Sequence, residues 1–497
     1  MHKEKDMENA SRPNILWLCT DQQRADSLGC YGNKFVKTPN IDRLAQSGVR
    51  FEHAYCQAPV CAPSRAAFLT GRYPRVCHVR QNGQDIAETE MLVTRILHDN
   101  GYTGGLSGKL HLSGCQPAAC RTMERRINDG YDYFAWSHDN DTRYDWVMNG
   151  YTQWLRSQGL ENKVTQREDS PYVFDGMPAE YSQAKWCADR AIEFMQAAKA
   201  NDMPWFFSFN CFDPHHPFDP PKEYLERYLP ILDEIPLPNY YEGELETKTP
   251  AQRREHFGAY NVKGNFAYDD MTEYDHRLLR ASYYALCDLV DEQVGRMLAY
   301  LEESGQLENT VILYHSDHGE SLGDHGMYLK GCYFYEPSVK VPLIISYKDK
   351  FLSGKVCDGL VELIDIAPTL LEICGIEVPP GMQGRSLYPL LCGEAPLDKF
   401  REDVFCESCK CKMSGQTVTY GSMLRTERYK IAMVHDLAPS FDRDRMCELY
   451  DLEADPDERN NLYYDPAYAE LKADMLEKFC NRQALIADPL PMKSMPW

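Results

Sequence analysis

Four short apolar runs constrain the fold of this chain more than any other feature. Asn14-Ile15-Leu16-Trp17-Leu18-Cys19-Thr20 runs into Asp21, and Thr310-Val311-Ile312-Leu313-Tyr314-His315-Ser316 runs into Asp317. Trp205-Phe206-Phe207-Ser208-Phe209-Asn210 leads into a Pro/His-rich loop, and Val341-Pro342-Leu343-Ile344-Ile345 is the fourth. Runs without polar alternation suit strands buried on both faces of a parallel sheet. Amphipathic patterns over Ile41–Gly48, Glu88–Gly101 and Ser182–Ala200 predict helices between them, and Asp275–Gly305 predicts one long helix or two. Strands alternating with helices predict an α/β fold with a large, mostly parallel sheet flanked by helices. Ligands in such sheets sit beyond the carboxyl ends of the strands. Asp21, His215 and Asp317 all fall at such ends.

Residues 219–265 are polar, aromatic and Pro-rich with weak periodicity, and read as a long surface excursion beside the site. Leu363 to Leu371 reads as a helix start with Pro368 near its first turn. Beyond about residue 395 the pattern changes to strand-like segments, Tyr429–Met433 and Glu448–Leu452, and a closing helix near 465–483. The expected organisation is a polar, disordered tail over 1–12, a main domain over 13–394, and a small C-terminal α+β subdomain over 395–497 built on an antiparallel sheet.

With 497 residues the chain can bury a large core. No apolar run approaches the ~20 residues a membrane span needs. The formal net charge of −22 argues against a nucleic-acid partner. An anionic substrate would also be repelled at long range, so a site for one must be locally cationic. The polar N-terminus shows no signal-peptide pattern, so the chain as written is expected in the cytoplasm, or in the periplasm or medium if a leader was removed. The 19 cysteines follow no small repeating framework, and Cys406, Cys409 and Cys411 read as free thiols.

Chemistry concentrates in Cys61-Ala62-Pro63-Ser64-Arg65-Ala66-Ala67-Phe68-Leu69-Thr70-Gly71-Arg72. If a helix starts there, Cys61 and Arg65 share a face. Further along stand Gly108-Lys109-Leu110-His111, Phe212-Asp213-Pro214-His215-His216-Pro217, His315-Ser316-Asp317-His318-Gly319-Glu320 and Tyr328-Leu329-Lys330-Gly331. In an extended segment Lys109 and His111 would point the same way. Taken singly, Asp21 suits a helix cap, each lysine a solvated surface, Asn82-Gly83 a turn and Trp136 a core.

Together, and in this order from Asn14 to about Leu462, the motifs resemble the type I, formylglycine-dependent sulfatases of the alkaline-phosphatase-like superfamily. The resemblance implies that Cys61 is oxidised to Cα-formylglycine by a sulfatase-maturing enzyme. It implies one divalent metal, with calcium favoured and manganese open, held by Asp21, Gln22, Asp317, His318 and the modified Cys61. The family usually has Asp where this chain has Gln22, and often Asn where it has His318. The resemblance assigns Arg65 to the hydrated aldehyde, Lys109, His111 and Lys330 to catalysis and sulfate contact, and Asn82 to substrate. His215, with His216 as the alternative, would protonate the leaving oxygen. Arg80, Trp136, His138 and Asp139 are candidate substrate-wall residues.

The expected substrate is a small sulfated carbohydrate cleaved as an exo-sulfatase would, with oligomeric state open. The alternatives are a phosphonate or phosphate ester hydrolase or choline-sulfatase-like enzyme of the same superfamily, and a binding homologue if Cys61 is unmodified.

Overall fold

The computed structural model describes residues 12–116, 120, 122–139, 147–411, 417–435 and 445–491. All but the last residue of the predicted tail lies outside them. An eight-stranded sheet runs through the main body in the order 355–357, 49–51, 343–347, 310–316, 14–20, 205–210, 103–108 and 133–136. The last five strands are mutually parallel. Strand Leu343–Tyr347 runs antiparallel to both neighbours, which is why the sheet is mostly rather than wholly parallel.

Strand Asn14–Thr20 lies at the centre, and its alternate side chains enter two different cores. Leu16 and Leu18 pack with Trp186 and Leu278 on one face, while Ile15 and Trp17 pack with Phe68 and Leu370 on the other. A strand covered on both faces has no solvent side, so its sequence shows no alternation. The helices Gln183–Ala200 and Glu273–Glu303 cover the first face, and Cys61–Thr70 and Ile366–Ile373 the second.

Glu273–Glu303 is one helix of 31 residues, not two. A Thr272–Asp275 capping box opens it. Gly295 inside it lets another segment approach closely, because a Cβ there would stand 2.5 Å from the Asn40 side chain. Val93–Asp99 is shorter than its sequence pattern, since Leu92 is still extended. The excursion after residue 219 is more ordered than its weak periodicity suggests. It folds into short helices, among them Lys222–Leu225, Leu229–Glu234 and Pro250–His256, with Tyr224, Leu225 and Tyr228 buried in the first core.

Four antiparallel strands, Asp403–Cys411, Thr417–Thr426, Tyr429–His435 and Cys447–Asp451, form the C-terminal sheet. Helix Ala469–Leu485 covers it. Phe405, Leu424, Ile431, Leu449, Met475 and Phe479 share one cluster with Ala67 and Tyr73. The sheet is therefore packed against the helix that begins at Cys61. Cys406 and Cys409 are buried and form no disulfide, while the side chain of Cys411 lies outside the described residues. No described helix is long and apolar enough to cross a membrane.

Asp324 ties three distant segments together. It accepts from Arg280 Nη2 at 2.8 Å and from the Asn239 backbone N–H at 2.7 Å, and pairs with Arg24 Nη1 at 2.8 Å. Burial disfavours its charge, but Arg24 and Arg280 outweigh that and hold the carboxyl below the usual carboxylate range. Asp324→Asn should cost about 3–5 kcal/mol in urea unfolding, since it strips a buried pair of its counter-charge. The stability Asp324 supplies is complete above the unfolded value of about 3.9 and is lost as pH falls toward its folded value. The variant should therefore lose less stability than the parent between pH 5 and pH 3.

Candidate active site

Strand register assembles the site. Thr20 pairs with Ser316, Cys19 with Asn210, and Gly108 with Asn210. Four adjacent parallel strands thus end level, and their next residues are Asp317, Asp21, Cys211 and Lys109. Gly108 makes the last of these turns possible. Its φ is +94°, and a Cβ there would meet Asn210 O at 2.0 Å. The chain leaves the strand here, and His111 takes a left-handed φ of 59°. Lys109 and His111 therefore do not share an extended segment, yet both still reach one cavity.

Asp21 and Asp317 are fully buried. Arg65 bridges them, with Nε donating to Asp317 Oδ2 at 2.8 Å and Nη2 to Asp21 Oδ2 at 3.3 Å. Its Nη1 donates to Lys109 O at 2.9 Å, and Lys109 Nζ donates to Asp21 Oδ2 at 2.6 Å. Burial disfavours charge on Asp21, but Lys109, Arg65 and Lys330 hold its carboxyl well below the usual range. Asp317 Oδ1 accepts the backbone N–H groups of Gln22 at 3.0 Å and His318 at 2.9 Å.

Cys61 is the first residue of the helix Cys61–Thr70, every residue of which is buried. Arg65, one turn on, shares its face as the spacing predicts. Cys61 Sγ lies 2.8 Å from Lys330 Nζ, 3.2 Å from His318 Nε2 and 3.5 Å from Asp21 Oδ1. Burial and Asp21 raise its thiol pKa, but Lys109, Lys330 and His318 prevail and set it below the ordinary value. Lys330 Nζ also lies 2.7 Å from Gln22 Oε1 and 2.7 Å from His215 Nε2. Three non-glycine residues around the cluster, Gln22, His111 and Leu329, have positive φ. Strained backbone of this kind collects at functional sites.

Asp21, Cys61, Asp317 and His318 bring one donor atom each within 4.8 Å of one another. Two carboxylates and an imidazole suit a hard or borderline divalent cation. His318 Nδ1 faces Gly319 O at 2.8 Å, which leaves Nε2 turned to the cluster. Gln22 borders this set, but its Nε2 donates to Glu320 and its Oε1 is engaged by Lys330.

A cavity of about 410 Å³ opens over Cys61, lined also by Asn82, His111, His138, Asp139, His215, His216 and Tyr260. Burial and Lys330 lower the pKa of both His215 and His216, and burial and Lys109 that of His111, so all three rest neutral. The His215 ring stacks on that of His216 with centroids 4.0 Å apart, and His111 meets the His138 ring edge-on at 4.6 Å.

Two wall assignments change. Trp136 is 1% exposed and its Nε1 donates to Glu124 at 2.9 Å, so it is a core residue and not a sugar platform. Arg80 lines a neighbouring cavity instead. Asn82 lines the cavity but also accepts from Ala62 N at 3.0 Å, which caps the Cys61 helix.

Sequence reading missed Glu124, Tyr260 and Glu320. Glu124 accepts from His111 N at 2.9 Å and Leu112 N at 3.0 Å, and so sets the loop that carries His111. Tyr260 returns from the excursion to close the cavity. Glu320 stood in a quoted motif, but nothing local announced its pairing with Gln22. His111, Cys115 and His138 form a second donor group, in which burial and Glu124 keep the Cys115 thiol protonated.

The sulfatase family model matches residues 13–376, most of the chain. The chain belongs to the sulfatase family. A second model, N-sulphoglucosamine sulphohydrolase C-terminal, matches residues 323–484 of this sulfatase. An arylsulfatase of Clostridium perfringens is 30% identical over 94% of this chain and 93% of its own length. An N-acetylglucosamine-6-O-sulfatase of Bacteroides thetaiotaomicron is 26% identical over 95% of this chain and 86% of its own. The structure of a phosphonate monoester hydrolase from Silicibacter pomeroyi superposes with a TM-score of 0.79 and 25% identity, each chain being 96% covered.

Asn82→Ala removes the cap from the first turn of the Cys61 helix and should cost about 1 kcal/mol in chemical denaturation. Asn82→Asp keeps an acceptor for Ala62 N and should restore most of that loss.

Proposed function

We propose that this sulfatase removes sulfate from a small sulfated carbohydrate, using a formylglycine made from Cys61 by a maturing enzyme and one divalent metal, calcium. One observation carries the reading. Cys61 Sγ lies at the floor of the cavity, touched by Lys330 and His318 and beside Asp21. The sulfur stands where the oxygens of a hydrated aldehyde would be. Such a hydrate has one hydroxyl to attack sulfur and a second to release sulfate and restore the aldehyde.

Asp21, Asp317 and His318 would hold the metal, with Gln22 beside them, and the metal would neutralise charge gathered on oxygen. This chain's own residues do the rest. Arg65 locks the two carboxylates in place from beneath. Lys109 and Lys330 supply fixed positive charge where a sulfate would sit, and cost no reorganisation during the reaction. His215 Nε2 faces the same space and is the group to protonate the leaving oxygen. It rests neutral because burial and Lys330 disfavour its charge. A bound sulfate offsets Lys330 and makes the imidazolium easier to form.

Names of relatives support a carbohydrate substrate, including the N-acetylglucosamine-6-O-sulfatase and an iduronate 2-sulfatase of Homo sapiens at 29% identity over 77% of this chain. The second reading, phosphonate monoester hydrolysis, draws on the structural likeness to those enzymes.

Protein made with a maturing enzyme should show a loss of about 18 Da in the tryptic peptide bearing Cys61. It should release sulfate from sulfated monosaccharides faster than it hydrolyses phenyl phosphonate. Lys330→Ala and His215→Ala should each lower kcat/KM by about 10²–10⁴-fold. An unmodified Cys61 in the presence of a working maturing enzyme would overturn the reading.

A further inference from the structure

A second cavity, of about 630 Å³, adjoins the catalytic one, and Asn82, Tyr260 and Lys330 line both. It is larger than the space over Cys61, so the two together accommodate more than a sulfate and its ring.

The second cavity is cationic in a chain whose formal net charge is −22. Arg80, Arg254 and Lys410 line it. They come from three separate parts of the chain. Arg80 follows the Cys61 helix, Arg254 lies on Pro250–His256 of the excursion, and Lys410 on the first strand of the C-terminal sheet. Lys410 Nζ donates to Tyr260 O at 3.2 Å, which sets this cation beside the residue that closes the catalytic cavity. Among the described residues, Glu255 is the one carboxylate in the lining. It is buried, and burial raises its pKa, so it opposes the cations weakly. Distant segments that converge on one sign of charge, against the balance of the whole chain, mark a place built for the opposite sign.

We propose that this cavity is a subsite for a second anionic group on the substrate, a further sulfate or a carboxylate, held by Arg254 and Lys410 with Arg80 at the rim. The inference rests on the sulfatase reading and narrows its substrate to a carbohydrate with two anions, one cleaved over Cys61 and one held by Arg80, Arg254 and Lys410. Guanidinium groups donate to either anion in a forked contact, and Lys410 donates as a point charge.

Binding separates this inference from the catalytic one, because it needs no turnover. Cys61→Ala protein would be titrated calorimetrically with a hexose 6-sulfate, the same hexose carrying a second sulfate, and a disaccharide of the hexose 6-sulfate with a uronate. The second anion should tighten binding by roughly tenfold or more, the ratio one charge-assisted contact supplies. Whichever arm shows the gain identifies the second anion. Arg254→Ala/Lys410→Ala should erase that gain and leave a near-equal affinity for all three. Arg254→Glu should make the doubly anionic ligands the weaker ones. Equal affinities in the parent, or a gain that survives the double substitution, would overturn the subsite. Failure of Cys61 to be oxidised would overturn the catalytic reading and leave these affinities unchanged.

Discussion

The structure depends on two carboxylates forced together. Central parallel strands in register must end side by side, about 4.8 Å apart, and here both are followed by Asp. Asp21 and Asp317 are wholly buried, where like charges repel strongly and hydration is lost. Everything near them answers that problem. Arg65 bridges both, Lys109 shares Oδ2 of Asp21 with it, and two backbone N–H groups take Asp317. The Cys61 helix has to be buried along its whole length because it delivers Arg65 to this point. The C-terminal sheet packs on that helix, so even the last strands contribute to holding the pair.

Much of this was legible in the sequence, and the reason is local. A strand buried on both faces has no polar alternation, so Asn14–Thr20 and Thr310–Ser316 were visible as continuous runs, and their following aspartates could be placed at the sheet's end. The 3.6-residue period of Gln183–Ala200 and Glu273–Glu303 was equally plain. Catalytic candidates were legible where several titratable residues crowd one motif. What escaped has no local signature. Glu124 acts through backbone N–H groups of His111 and Leu112, and nothing in its neighbours shows that. Trp136 looked like a sugar platform because an aromatic beside polar residues looks the same whether it faces a ligand or Glu124. The Lys109–His111 segment departed from extended geometry because Gly108 is left-handed, which a glycine permits but does not announce.

Charge distribution explains how a strongly acidic chain can receive an anion. Lysine and arginine need not be numerous if they are focused. Lys109, Lys330 and Arg65 converge under the catalytic cavity, and Arg80, Arg254 and Lys410 line the space beside it. Inside a low-dielectric wall each charge acts over a longer range than on an open surface.

Gln22 shows how tightly this balance is drawn. Its family counterpart is usually a carboxylate, yet here its amide donates to Glu320 through Nε2 and accepts from Lys330 through Oε1. Glu320 is fully buried, its pKa raised by that burial, and it also accepts the backbone N–H of Leu322 and of Leu329, next to Lys330. A carboxylate at position 22 could not donate to Glu320 and would set a third negative charge beside Asp21 and Asp317. An amide donates to a buried acid on one side and accepts from a lysine on the other without adding charge. Glutamine at 22 and glutamate at 320 therefore form one unit. It fixes the segment carrying Lys330, and Lys330 in turn touches both Cys61 and His215.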